Sequence, residues 1–260
     1  MSEKASKRNI QARHDERRQK RIREQRIRRY TFFGVLAVIA IFIIMFFTPF
    51  FNIENVEIAG NNKMTSEQII TEVGEMKGKN LFRTGGGIKK KLTKYAYVEK
   101  VAVKKKLIPP TLTIELVERA PALQFAYAES YMVIDVEGRV LEKRTEKLEN
   151  VPVAEGMKVV SANEGEFISL KDGETQKIIF DCIQNMQKAD IINDITVMSF
   201  EDMTNITFNY QSRLDVICGT HIDFSRKLSL FKEAVNSNKL TQNSRGTINL
   251  STTGKAIYTP

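Results

Sequence analysis

Cysteine and histidine are both scarce in this chain of 260 residues, two of each. Cys182 and Cys218 are too few for the disulfide framework that staples small secreted scaffolds. Each sits in an apolar run, so one bridge and two buried free thiols both remain open. His14 lies in a basic N-terminal tail, which leaves His221 as the one imidazole for the rest of the chain. A metal site needs several converging ligands, and the sequence shows no such cluster. Cys218 and His221 are the one pairing suited to thiol chemistry, but a lone histidine at a strand end is ordinarily a surface or structural residue. Asp135 and Glu137 occupy alternate positions beside a turn and read as a solvated face rather than an acid–base pair. Gly85, Gly86 and Gly87 lack the spacing of a Walker A or dinucleotide loop and read as a flexible lead into a helix over 88–94. The expectation is of no catalytic residue, no cofactor and no metal.

Charge is missing from one long stretch. Tyr30 to Phe51 holds 22 residues without Asp, Glu, Lys or Arg. At 1.5 Å per residue a helix of that length covers about 33 Å, close to the ~30 Å hydrocarbon thickness of a bilayer. A cleaved signal peptide has a shorter apolar run closed by small residues, whereas this one ends in Phe46, Phe47, Pro49, Phe50 and Phe51. A soluble core helix would carry a polar stripe, which is also absent. The stretch is therefore read as a retained transmembrane helix, 30–51.

The flanks set its expected orientation. Of the chain's 40 Lys and Arg and 31 Asp and Glu, 12 and 4 fall in residues 1–29, leaving 28 and 27 for the remainder. The net charge of +9 thus belongs almost wholly to the tail. The positive-inside rule keeps that tail in the cytoplasm and sends everything after Asn52 to the outer side. Basic residues crowded against a span act as a topology signal that also touches anionic lipid, so nucleic acid is not an expected partner. Arg17, Arg18, Arg21, Arg28 and Arg29 with Ile22 and Ile27 suit a basic amphipathic helix on the inner leaflet, and a disordered tail is equally open.

Beyond the span, periodicity gives the order strand, helix, helix, strand, strand. Ile53, Val56 and Ile58 alternate with polar residues up to the turn Gly60-Asn61-Asn62. Thr65 and Gln68 form a capping-box pattern, Ile69, Ile70 and Val73 give an apolar face, and Gly74 is a natural stop. Val98, Val101 and Val103 form one strand. Pro109 and Pro110 make the connection, and Leu112, Ile114 and Leu116 give the core face of the next strand. Further on, Tyr131 to Asp135 and Arg139 to Lys143 flank Glu137-Gly138 as a hairpin, with a short strand near Pro152. A helix capped by Asp172 is expected over 174–187, strands over 195–200, 206–210 and 214–218, a helix capped by Asp223 over 224–235, and strands over 247–250 and 255–258. The fold class is α+β, with a mostly antiparallel sheet in the second, larger domain.

Two of these segments, VEIAGNNKMTSEQII at 56–70 and YVEKVAVKKKLIPPTLTIELVERAPA at 97–122, resemble the POTRA module of the DivIB/FtsQ family of bacterial cell-division proteins. IDVEGRV at 134–140, KLSLFKEAV at 227–235 and GTINLSTTGKAIYTP at 246–260 extend the resemblance over most of the outer region. It implies a cytoplasmic tail 1–29, a span 30–51, a POTRA domain 52–120 and a β-rich domain 121–260. It also implies a non-enzymatic division-septum scaffold that binds bitopic partners of the DivIC/FtsB and FtsL type and serves the septal penicillin-binding protein complex.

In better-studied FtsQ members the terminal strand pairs with an extended piece of the FtsB-type partner; Thr252, Gly254, Ala256, Ile257 and Tyr258 occupy the matching positions here. Independently, Pro260 leaves no later element to cover that strand, so its outer backbone groups are open to strand addition. Whether Tyr258 serves a partner or packs on its own sheet stays open. Pro121 ends an alternating strand, and Arg119 two residues before it is expected to orient the two outer domains through a carboxylate or carbonyl, with a solvated strand-end charge equally open. Two other classes are kept: a POTRA-containing protein-translocation component, which the missing outer-membrane barrel signal after Tyr131 disfavours, and a membrane-tethered thiol hydrolase using Cys218 and His221.

Overall fold

The computed structural model describes residues 2–237, 240–252 and 254–260, with side chains from Arg23 onward. The grouping of Arg17, Arg18, Arg21 and Ile22 therefore falls outside the described side chains. Helix α1 runs Ser2–Phe47. Among the described residues its segment Arg23–Phe47 is the one stretch long and apolar enough to cross a membrane, and none of it is buried against protein.

The helix stops at Phe47, four residues short of the expected limit at Phe51, and Pro49–Phe51 form a 3-10 turn. Proline explains the difference, because the ring of Pro49 drives the residue before it out of the α region. Thr48 accordingly lies at φ −84° and ψ 140°. Its hydroxyl donates to the Ile44 carbonyl at 2.6 Å, and Asn80 Nδ2 donates to the Met45 carbonyl at 3.1 Å, so two of the last helical carbonyls find partners.

Contacts group the chain into two compact units. The first comprises Met1–Glu57, Glu75–Gly86 and Val103–Thr113; the second comprises Ile58–Gly74, Gly87–Ala102 and Ile114–Pro260. After α1 come β1 (Asn55–Ala59), α2 (Ser66–Val73), α3 (Ile88–Leu92), β2 (Val98–Leu107) and β3 (Pro110–Glu118), with the strands in the order β1-β3-β2. Thr65 and Gln68 make the reciprocal capping box. The Thr65 Oγ1 accepts from Gln68 N at 3.2 Å, and the Gln68 Oε1 accepts from Thr65 N at 2.9 Å. Gly74, at φ 86°, closes α2 by donating to the Ile70 carbonyl. Glu118 at the end of β3 accepts backbone N–H groups from Asn62, Lys63 and Met64 at 2.9, 2.6 and 3.1 Å, fixing the turn that leads into α2. Thr111, on the face of β3 expected to be polar, is buried, and its hydroxyl bonds the Pro109 carbonyl.

The second sheet has nine strands. In chain order these and the small pair beside them are β4 (Leu123–Tyr127), β5 (Ser130–Ile134), β6 (Val140–Arg144), β7 (Val153–Glu155), β8 (Val159–Ser161), β9 (Ser169–Leu170), β10 (Ile195–Ser199), β11 (Ile206–Tyr210), β12 (Leu214–Gly219), β13 (Gly246–Asn249) and β14 (Ile257–Thr259). The nine run β14-β13-β12-β11-β10-β7-β4-β5-β6, and β8 pairs β9 separately. Two antiparallel meanders, β4-β5-β6 and β10-β11-β12, are joined through β7, which is parallel to both β4 and β10; β13 is also parallel to β12.

Helices α4 (Gly173–Lys188) and α5 (Phe224–Val235) supply Ile179, Ile183, Met186, Leu228 and Phe231 to one continuous core with this sheet. The Phe231 ring meets Phe208 at 5.3 Å and Tyr210 at 5.0 Å, both edge-on. Each such side chain fully removed from water contributes about 1.5–3 kcal/mol. Asp172 caps α4 as expected, its Oδ2 accepting from Thr175 N at 2.8 Å. Asp223 stands at the N-cap of α5 but does not cap it through its side chain: its backbone is left-handed, at φ 56°, and no side-chain bond closes the first turn.

Candidate protein-binding edge

β14 is the last strand of the nine. It pairs with β13 in the register Thr247↔Thr259, Ile248↔Tyr258 and Asn249↔Ile257, and among the described residues no strand lies beyond it. All three of its residues are exposed, Ile257 at 48% and Tyr258 at 37%, while Ile248 opposite is fully buried. Successive side chains alternate between faces and successive N–H groups alternate between edges, so each β14 residue offers either its backbone or its pairing to the outside.

Gly246 makes the pairing feasible. At φ 141° it carries no Cβ, and a Cβ there would stand 2.2 Å from the Thr259 carbonyl oxygen. Tyr258 is held from the other side, its hydroxyl donating to the Arg245 carbonyl at 2.7 Å. That bond fixes the ring on the chain's own loop while leaving over a third of the residue in solvent. Of the other candidates, Thr252 and Gly254 are exposed on the connection from β13, with Gly254 at φ 75°, and Ala256 is half-buried against the core. The five are thus brought together on one connection and strand.

Arg119 and Pro121 lie elsewhere in the fold, between β3 and β4. Arg119 Nη1 bonds Asp135 Oδ2 at 2.6 Å and Glu137 Oε2 at 3.1 Å. Asp135 is 3% exposed, and its Oδ1 accepts the Glu137 and Arg139 N–H groups, both at 2.9 Å. The solvated face expected for Asp135 is therefore corrected: the carboxylate is buried because it closes the β5–β6 turn and pairs with a guanidinium arriving from β3. Burial opposes the charge of Arg119, but the hydrogen bonds and negative charges of Asp135 and Glu137 outweigh it and raise its affinity for the proton.

Residues 51–119 match the family model described as POTRA domain, FtsQ-type. The chain is 25% identical over 229 residues to the cell division protein DivIB of Clostridium tetani, covering 86% of this chain and 85% of that protein. It is 27% identical over 222 residues to DivIB of Clostridium acetobutylicum, covering 81% and 83%. It is 33% identical over 109 residues to the cell division protein FtsQ of Corynebacterium glutamicum, covering 40% and 48%.

Residues 51–119 thus form a POTRA domain of the FtsQ type, and most of the chain is similar to cell division proteins named DivIB.

A solved extracytoplasmic domain of DivIB from Geobacillus stearothermophilus is also similar, at 14% identity and a TM-score of 0.31, over 47% of this chain and 95% of that one. Here β1, α2, α3, β2 and β3 make up the matched POTRA segment, and β14 lies in the β-rich region that follows it.

The remaining candidates for chemistry are placed unfavourably for it. Cys182 and Cys218 are free and buried, and burial pushes both thiols up to about 12, far from the thiolate that nucleophilic attack requires. His221 is exposed in the turn before α5. Among the described residues no group of three or more His, Cys, Asp and Glu side chains is arranged to hold a metal. Asp135, Arg245 and Gly246 are the residues that sequence reasoning missed. Only Gly246, directly before an alternating strand, carried a signal that pointed to a close backbone approach.

Proposed function

We propose that the chain is a non-enzymatic scaffold of the division septum. Its basic tail faces the cytoplasm, one helix crosses the membrane, and the outer POTRA domain 52–120 and β-rich domain 121–260 bind small bitopic partners of the DivIC/FtsB and FtsL type. Through them it stabilises the septal penicillin-binding protein complex. The observation that carries this reading is β14: a three-residue, solvent-facing strand at the end of a nine-stranded sheet, with no further strand among the described residues covering its outer edge. An extended partner segment adds to such an edge through main-chain hydrogen bonds, and alternate side chains select it. Tyr258 serves as the aromatic anchor, with Ile257, Ala256, Gly254 and Thr252 forming the rest of the contact. Arg119 and Pro121 set the angle at which β4 leaves β3, and so orient the partner-binding domain on the POTRA domain.

Photo-crosslinkers placed in living cells at 252, 254, 256, 257 and 258 test the reading. Capture of a DivIC- or FtsL-type partner from these positions, with none from the exposed control position Lys171, is the expected result. Equal capture from all six would remove β14 from the account.

A further inference from the structure

The segments folded around the end of α1 hold a concentration of positive charge that neither the basic tail nor the partner-binding edge explains. Glu75–Gly86 and Val103–Thr113 carry six Lys and Arg against the single acid Glu75, although the outer region as a whole is balanced. Glu54 just before β1 and Glu57 within it offset part of this, and Glu57 is engaged by the Thr113 hydroxyl at 3.0 Å.

Their position is fixed by short contacts within the first unit. Asn80 Nδ2 reaches the Met45 and Thr48 carbonyls at 3.1 and 3.5 Å, Leu81 N donates to the Phe51 carbonyl at 2.8 Å, and the Phe82 ring packs 5.9 Å from Phe46 and 5.3 Å from Phe51. Arg83 stands over Phe47 at 6.0 Å. Residues 79–83 thus lie at the level of the last turn of α1. The β2–β3 turn lies at the same end, because Glu54 N donates to the Pro110 carbonyl at 2.8 Å and Lys105 Nζ reaches the Phe82 carbonyl at 3.4 Å. That turn exposes Leu107 at 43% and Ile108 at 76%, and the end of α1 and the 3-10 turn after it expose Phe47 at 74% and Phe50 at 68%. Large aliphatic and aromatic side chains this exposed, rimmed by cations and level with a membrane helix end, match an interfacial membrane contact.

We infer that the segments 75–86 and 103–113 form a collar that docks on anionic lipid headgroups of the outer leaflet, with Ile108 and Phe50 entering the headgroup–acyl boundary and Lys77, Lys79, Arg83 and Lys106 meeting phosphate. The inference rests on the reading of α1 as a membrane span. Its consequence is mechanical: the POTRA sheet starts from the bilayer surface at two points, the helix exit and the β2–β3 turn, rather than from one swivelling linker.

The test uses the full chain in nanodiscs of phosphatidylglycerol and phosphatidylcholine, carrying Ile108→Cys labelled with an environment-sensitive fluorophore; native Cys182 and Cys218 are buried and stay unlabelled. Lys171→Cys, on the exposed surface of the second unit, serves as reference. The collar predicts several-fold weaker quenching by acrylamide at 108 than at 171, and emission quenched by spin-labelled lipid. In phosphatidylcholine alone, or with Lys77, Lys79 and Arg83 all changed to Glu, that protection falls. Acrylamide reaching 108 as freely as 171 overturns the collar. Protection that survives both neutral lipid and the triple Glu variant overturns its anionic assignment. A chain that fails to co-elute with nanodiscs at all overturns the span, and the collar with it.

Discussion

Arg119 joins two carboxylates of very different standing. Its bond to Asp135 is shielded, with side-chain exposures of 14% and 5%, while Glu137 is 57% exposed and adds little. Removing one partner of a buried pair leaves the other charge unmet, so Arg119→Ala should destabilise the outer region by roughly 3 kcal/mol, visible as a lower urea midpoint. Glu137→Gln should leave that midpoint nearly unchanged. Equal effects of the two would show that the pair is no better shielded than a surface bridge. The sequence led to the expectation that Arg119 meets a carboxylate or carbonyl, but not to which one. Asp135 looked like a turn residue on an open face because alternation cannot reveal that a neighbouring strand end covers that face.

The buried cysteines give a pH dependence with a definite sign. Each thiol is raised from its ordinary 9.0 to about 12 by burial, so the folded state holds the protonated form more tightly than the unfolded chain does. Their contribution is complete below pH 9 and is lost as the pH rises from about 9 toward 12. Cys218→Ala should flatten that alkaline fall in stability even though it leaves a small cavity. A thiol reagent at neutral pH should modify neither cysteine until the protein is unfolded.

At the scale of elements, most of the pattern followed from periodicity. The capping box at Thr65, the cap at Asp172, the stop at Gly74 and the strands β10, β11 and β12 all lie where local signals put them, because each is decided by neighbours in sequence. β4 escaped notice because Gln124 interrupts its apolar run yet is fully buried, its amide donating to the Leu148 and Val151 carbonyls at 2.7 Å each. β7 was expected as a short strand, but its parallel pairing on both sides, which joins the two meanders, depends on contacts distant in sequence. Gly246 carries an element-scale prediction. Gly246→Ala should push β14 from β13 without disturbing the core, so amide exchange at 257–259 should accelerate while the melting temperature stays nearly constant. A large drop in melting temperature would make β14 part of the core rather than an appended edge.

For the whole molecule, the sequence carries the order of parts more clearly than their relations. The apolar stretch was legible from its missing charge and the order of strands and helices beyond it from periodicity, while the POTRA segment was identified through resemblance. The identity of the proposed partners was accessible through resemblance alone; the open edge was anticipated from the order of elements, but its pairing with β13 is a property of the assembled sheet and leaves no mark in any one residue. A reporter active only outside the cytoplasm, fused at Pro260, should be active if the basic tail sets the topology; activity confined to the cytoplasm would reverse the orientation.

The central claim, recognition at β14, is tested most directly by titrating the folded full chain with a purified DivIC-type partner. Variants Ala256→Pro, Ile257→Pro and Tyr258→Ala are compared with the parent at matched melting temperature. Proline at the position whose N–H faces outward removes a ladder donor, and loss of a buried aromatic anchor costs about 2 kcal/mol, so Tyr258→Ala should weaken binding about 30-fold. Unchanged affinity in all three folded variants would contradict the account and move recognition to another surface.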